Sequence, residues 1–170
     1  MDIMSYIDQG GVIMYILLVL NILGFTIMAF KFLQFLFVKR EKIVSKIFDD
    51  LKVNEKESMI NIAKDTVTQK VLHYEGGLST VKIIASIAPL LGLLGTVIGV
   101  LMAFEAISKQ GLDDPTVFAG GISLALITTV GGLIVAIPHY VGYNYLISML
   151  DHLEANLNKE VSLKIYESKS

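Results

Sequence analysis

The sequence predicts an all-α membrane protein: three transmembrane helices with long helical extensions outside the bilayer. Three observations carry that prediction. Charged residues make up 18% of the 170 residues, whereas soluble domains carry about 25%. Those charges fall in blocks, separated by long stretches almost free of them. The uncharged stretches in the second half also lack the polar face, recurring at helical period, that a soluble helix needs.

The first apolar stretch runs from Gly11 to Phe30, with Asn21 its most polar member, and continues past Lys31 to Val38. About twenty residues at ~1.5 Å each cross a hydrocarbon core of about 30 Å. Met1–Gly10 carries Asp2 and Asp8 but no Lys or Arg, so the stretch reads as a retained helix rather than a cleaved signal. The second stretch, Ile83–Phe104, is bracketed by Lys82 and Glu105. The third starts near Val117 and stays uncharged to Tyr145 apart from His139, which the sequence places near its end as an interfacial residue.

Orientation follows from where Lys and Arg sit. The 39–82 segment holds nine of them, residues 1–10 none, and the 108–116 loop only Lys109. Positive charge stays on the cytoplasmic side, so 1–10 is expected to be an outer, periplasmic N-terminus. The remaining expected order is a first transmembrane helix over 11–38, a cytoplasmic helical segment over 39–82, a second span over 83–107, a short outer loop over 108–116, a third span over 117–148 and a cytoplasmic amphipathic tail over 149–170.

Within the polar segments, Asn54-Glu55-Lys56-Glu57 reads as a capping box, and Gly76-Gly77 as the end of the helix it opens. Asp113-Asp114-Pro115 suits the N-terminus of the third helix. Leu146, Leu150, Leu153, Leu157, Val161 and Ile165 recur every three or four residues, so that helix is expected to run on as an amphipathic rod. Lys31 and Glu105 lie near span boundaries, where snorkelling or a headgroup contact explains them.

Composition removes several function classes. A net charge of −2 leaves no footprint for nucleic acid. No cysteine is present, so thiol chemistry and cysteine-ligated metals are out. His73, His139 and His152 have no metal-ligand spacing. No cofactor, metal site or catalytic residue is expected, and the paired carboxylates or Ser/His dyad of an intramembrane enzyme are missing at depth.

The last two spans carry stripes of small residues. Gly92, Thr96, Gly99 and Ala103 share one face of the second; Gly121, Ala125, Thr129, Gly132 and Ala136 share one face of the third. Such stripes let helices approach closely in lipid. Leucine at Gly99 or Gly132 is accordingly expected to disrupt the oligomer. Thr96 and Thr129 lie at similar depth on helices of opposite direction, with Thr128 as a third hydroxyl beside them. A pair of hydroxyls at one level can line a polar path, although membrane threonines often only satisfy a carbonyl one turn back. The uncharged spans hold no carboxylate of their own, so a proton path needs one from a partner.

These segments resemble a known family. Ala88-Pro-Leu-Leu-Gly-Leu-Leu-Gly-Thr-Val-Ile-Gly99 is similar to the second-helix signature of the ExbB/TolQ/MotA proton-channel motor proteins. Gly121–Pro138, followed by Tyr143-Asn144, resembles the third-helix signature, and Gly10-Gly11 with Met14 and Leu17-Leu18 fits the first helix. The likeness to ExbB is strongest; flagellar stator subunits are longer and have four spans. The resemblance implies a ring-shaped pentamer around a smaller ExbD- or TolR-like protein whose single span bears a protonatable Asp. It further implies a TonB- or TolA-like energy transducer and location in the bacterial inner membrane. Thr96 and Thr129 match the family's pore-facing threonines. Leu124 occupies the position where many ExbB and TolQ chains have Glu, which puts in doubt a relay through this subunit's own carboxylate.

The function so implied is an ExbB-like stator subunit that uses the proton motive force to energise TonB-dependent transport across the outer membrane. A TolQ-like role in envelope maintenance is the alternative within the family. A passive membrane scaffold is the alternative of a different class.

Overall fold

The computed structural model describes residues 3–38, 40–50, 56–111 and 115–168. Every regular element in them is helical: α1 Ile3–Gln9, α2 Gly11–Leu36, α3 Arg40–Asp50, α4 Lys56–Glu75, α5 Leu78–Gln110 and α6 Thr116–Ser168. Three are long and apolar enough to cross a membrane: α2, α5 and the Phe118–Glu167 part of α6. The chain is an all-α membrane protein.

Helix ends follow from local chemistry. Gly77 and Gly111 have φ of 90° and 83°, the left-handed conformation that ends helices and that glycine adopts without strain. The Gly111 amide donates to the Ile107 carbonyl at 2.8 Å. Gly76-Gly77 therefore breaks the chain between α4 and α5, as the sequence implies. Residues 3–9 form a short helix in the segment read only as an outer N-terminus. Asn54 and Glu55 of the expected capping box, and Asp113 and Asp114 before the third span, lie outside the described residues.

The chain divides into two compact units. The first comprises Met1–Ile27 and Thr80–Tyr143. Its core is Leu17 from α2, Ile84 and Ala88 from α5, and Val135 and Ala136 from α6, with Ile13, Met14, Leu20 and Leu91 packed around them. The outward faces are strongly apolar; Val12, Leu90, Leu101, Leu126 and Ile134 are among the large side chains left exposed. In lipid this is the expected inversion, because acyl chains solvate an apolar surface and exert no hydrophobic force between helices.

The second unit, Met28–Ser79 and Asn144–Ser170, packs like a soluble bundle. The six stripe residues of the predicted rod, Leu146, Leu150, Leu153, Leu157, Val161 and Ile165, are all buried. Met59, Ala63, Val67 and Val71 of α4 are buried at four-residue spacing, the stripe that a helix needs to lie against such a rod. The Thr68 hydroxyl donates to a Glu154 carboxylate oxygen at 2.8 Å across that contact. Lys31 does not snorkel: its side chain is buried, and Nζ donates to the Tyr74 carbonyl at 3.0 Å. An ammonium on a last-turn carbonyl satisfies an orphan acceptor and complements the helix dipole. Glu105, in contrast, is exposed, pairing with Lys109 at 2.6 Å one turn on.

Candidate functional site

The small-residue stripes meet each other within one chain. α5 and α6 run antiparallel with Gly92 facing Gly132 and Gly99 facing Gly121. A Cβ added at Gly132 would lie 2.6 Å from the Ala88 carbonyl oxygen. One at Gly121 would lie 2.5 Å from the Gly99 oxygen and 2.7 Å from the Ala103 nitrogen. These neighbours are backbone, so only glycine permits the approach. The sequence leaves the partner of each stripe open; on this face the two stripes join α5 to α6. Ala125 is buried in the seam, and Ala136 belongs to the three-helix core.

Thr96 and Thr129 sit in the middle of this seam, and their hydroxyls are in hydrogen-bond contact. Thr96 Oγ1 is also 3.2 Å from the Ala125 oxygen and 3.3 Å from the Gly92 oxygen. Thr129 Oγ1 is 3.1 Å from the Ala125 oxygen and 3.5 Å from that of Gly92. Two hydroxyl protons thus face two carbonyls and each other. Each hydroxyl donates once and can accept twice, so the pair keeps spare acceptor capacity. It can receive a proton donor, or turn a hydroxyl from a carbonyl to a carboxylate.

Both threonines are half-buried, so the pair reaches the surface. Around it, one turn away on the same helix faces, Leu93, Val100, Leu126 and Leu133 are exposed. The result is a small polar spot on an apolar wall. Among the described residues no titratable group contacts either hydroxyl.

Thr128 is placed differently. It is fully buried, and its Oγ1 donates towards the Leu124 and Ala125 carbonyls at 2.9 and 3.1 Å. Its side chain fills the space left by Gly95, where an added Cβ would collide with it. Adjacent in sequence to Thr129, it is turned about 100° around the helix, and its hydroxyl does not join the pair. Leu124 is half-buried.

Sequence reasoning also missed a second polar position. His139 is completely buried among the helices. Its Nδ1 lies 2.7 Å from the Val135 oxygen, which can only accept, so Nδ1 carries the proton. Nε2 has no partner among the described residues and points at Gly24 of α2, where any Cβ would overlap the ring. Phe25 meets the imidazole edge-on, centroids 4.9 Å apart. The signal available was Gly24, a lone glycine in the middle of an apolar helix.

A family model described as the MotA/TolQ/ExbB proton channel family matches residues 38–159. The chain belongs to that family. The match contains α4, α5 and most of α6, and with them both threonines and the seam. Among individual relatives, the chain is 47% identical over 64 residues to the biopolymer transport protein ExbB of Aquifex aeolicus, covering 38% of this chain and 43% of that one. It is 38% identical over 91 residues to ExbB of Helicobacter pylori, 54% of this chain and 63% of that one. The biopolymer transport protein exbB1 of Vibrio cholerae is 38% identical over 85 residues, 49% of this chain and 37% of that one. The chain therefore matches less than two thirds of the length of each of these relatives. The family is described by proton conduction, not by a catalysed reaction.

Proposed function

We propose that the chain is an ExbB-like stator subunit of an inner-membrane, proton-driven motor that energises TonB-dependent transport across the outer membrane. The observation that carries this reading is the Thr96–Thr129 pair: two hydroxyls joined at mid-span, part-buried in an apolar wall, with no titratable group among the described residues beside them. Such a pair suits a protonatable group carried by another protein. It accepts from a neutral carboxylic acid and donates to the carboxylate, so both protonation states are held at one place.

In this reading five copies form a ring around an ExbD-like protein, whose single span presents an Asp to the threonines. A TonB-like transducer receives the resulting movement. Leu124 leaves the titrating role to that partner. The N-terminus lies in the periplasm, and α3, α4 and the tail of α6 lie in the cytoplasm, on the side where Lys and Arg are concentrated.

Deletion of the gene provides the test. Loss of gradient-dependent uptake across the outer membrane, with the envelope intact, is the expected result. An envelope that leaks and sheds while uptake continues points instead to a TolQ-like subunit. Normal uptake and a normal envelope would contradict a motor role.

A further inference from the structure

The second unit holds a depression of about 500 Å³ between α3 and α4, lined by Lys46, Thr66, Gln69, Lys70, His73 and Tyr74. We infer that it is a binding site for a phosphate group, carried either by a membrane phospholipid or by a soluble phosphate ester.

Charge is the first argument. Lys46 comes from α3 and Lys70 from α4, and among the described residues no carboxylate lines the depression or pairs with either. Two ammonium groups lining one depression repel each other. A bound anion turns that repulsion into two attractions. His73 and the Gln69 amide add donors suited to phosphate oxygens.

The distribution of charge around α4 is the second. Glu75 of α4 and Asp151 and Glu154 of α6 line a separate depression with Thr68, Val71 and Leu72. At about 100° per residue, those α4 positions lie on the opposite side of the helix from Gln69, Lys70 and His73. Lys70 thus stands half a turn from the acids that line the other depression.

Location is the third. Tyr74, at one end of the depression, has its carbonyl held by Lys31, the first charge after the twenty-residue apolar stretch of α2. Its ring is 6.4 Å from that of Phe35, and Leu33, Leu36 and Phe37 of α2 are exposed nearby in sequence. The depression thus approaches the level at which headgroups lie, next to a helix that offers apolar surface to acyl chains.

The test is native mass spectrometry of the full chain in a mild non-ionic detergent. Phosphatidylglycerol and phosphatidylcholine are supplied as lipid probes and glycerol 1-phosphate as the soluble probe. Preferential retention of phosphatidylglycerol is expected, weakened roughly fivefold per lysine and about thirtyfold in Lys46→Gln/Lys70→Gln. Glutamine matches lysine in helix propensity, and Lys46→Arg/Lys70→Arg should restore binding. Retention of phosphatidylglycerol alone assigns a lipid headgroup; equal binding of glycerol 1-phosphate, lost in the same double variant, assigns a soluble ester. Lipid retention that is unchanged in Lys46→Gln/Lys70→Gln, without binding of glycerol 1-phosphate, would overturn the site. So would phosphate binding that the glutamine variants leave unchanged.

Discussion

Thr129→Val is expected to abolish gradient-driven uptake while leaving helix content and assembly unchanged. Valine keeps the β-branched shape, which a helix in lipid accepts readily. What disappears is the hydroxyl shared with Thr96 and facing the Ala125 and Gly92 carbonyls. A side-chain hydrogen bond inside a membrane contributes on the order of 0.6 kcal/mol, too little for its loss to unfold the chain. The effect should therefore fall on proton transfer. Thr128→Val is the matched control: its hydroxyl is buried and satisfied by its own helix, so uptake should persist. Uptake rates in cells, set beside melting curves of the purified variants, decide the matter. Full uptake in Thr129→Val would remove the pair from the path.

Gly99→Leu should be the most destabilising single change in the membrane unit. The position of a Cβ at Gly99 overlaps the Gly121 carbonyl and lies 2.7 Å from the Ala125 nitrogen. Neither neighbour can yield as a flexible side chain would, so α5 and α6 must part along the seam. The cost is expected to be on the order of 3 kcal/mol or more, beyond ordinary overpacking. Gly120→Leu, one residue from the seam, provides the contrast, because an added Cβ there meets nothing within 4 Å. Thermal melting in detergent should show Gly99→Leu far below the wild type, or failing to fold, and Gly120→Leu close to it. Similar melting of Gly99→Leu and wild type would mean that the helices are not locked there. Since the seam lies within one chain, the loss should appear in the subunit itself, and any loss of oligomer should follow from it.

The parts of this structure that could be read from sequence are those whose signal is periodic. The apolar stretches define three helices because bilayer thickness fixes their length. The tail from Leu146 to Ile165 shows its buried face because its other face must meet water. Small residues likewise mark contact faces on α5 and α6, but a small-residue stripe carries no sign of its partner, and only the tertiary contact shows the two stripes meeting each other. Position along the chain does not reveal the contacts of three residues. Lys31 follows an apolar run, which suggests snorkelling, yet it caps a helix 43 residues away. His139 lies near the end of a span, yet Gly24 on another helix makes room to bury it. Thr128 adjoins Thr129, yet one residue of helical rotation turns it into the packing. Each depends on a tertiary contact that spacing within one helix does not encode.

The central claim is that this chain surrounds a partner that supplies the titrating group. Native mass spectrometry of the tagged protein, drawn gently from its own membranes, tests it most directly. The account predicts five copies of the chain together with a co-purifying single-span protein that has an aspartate within its span. A homo-oligomer alone, found in several mild detergents, would contradict it, and would leave Thr96 and Thr129 as packing residues of a membrane scaffold.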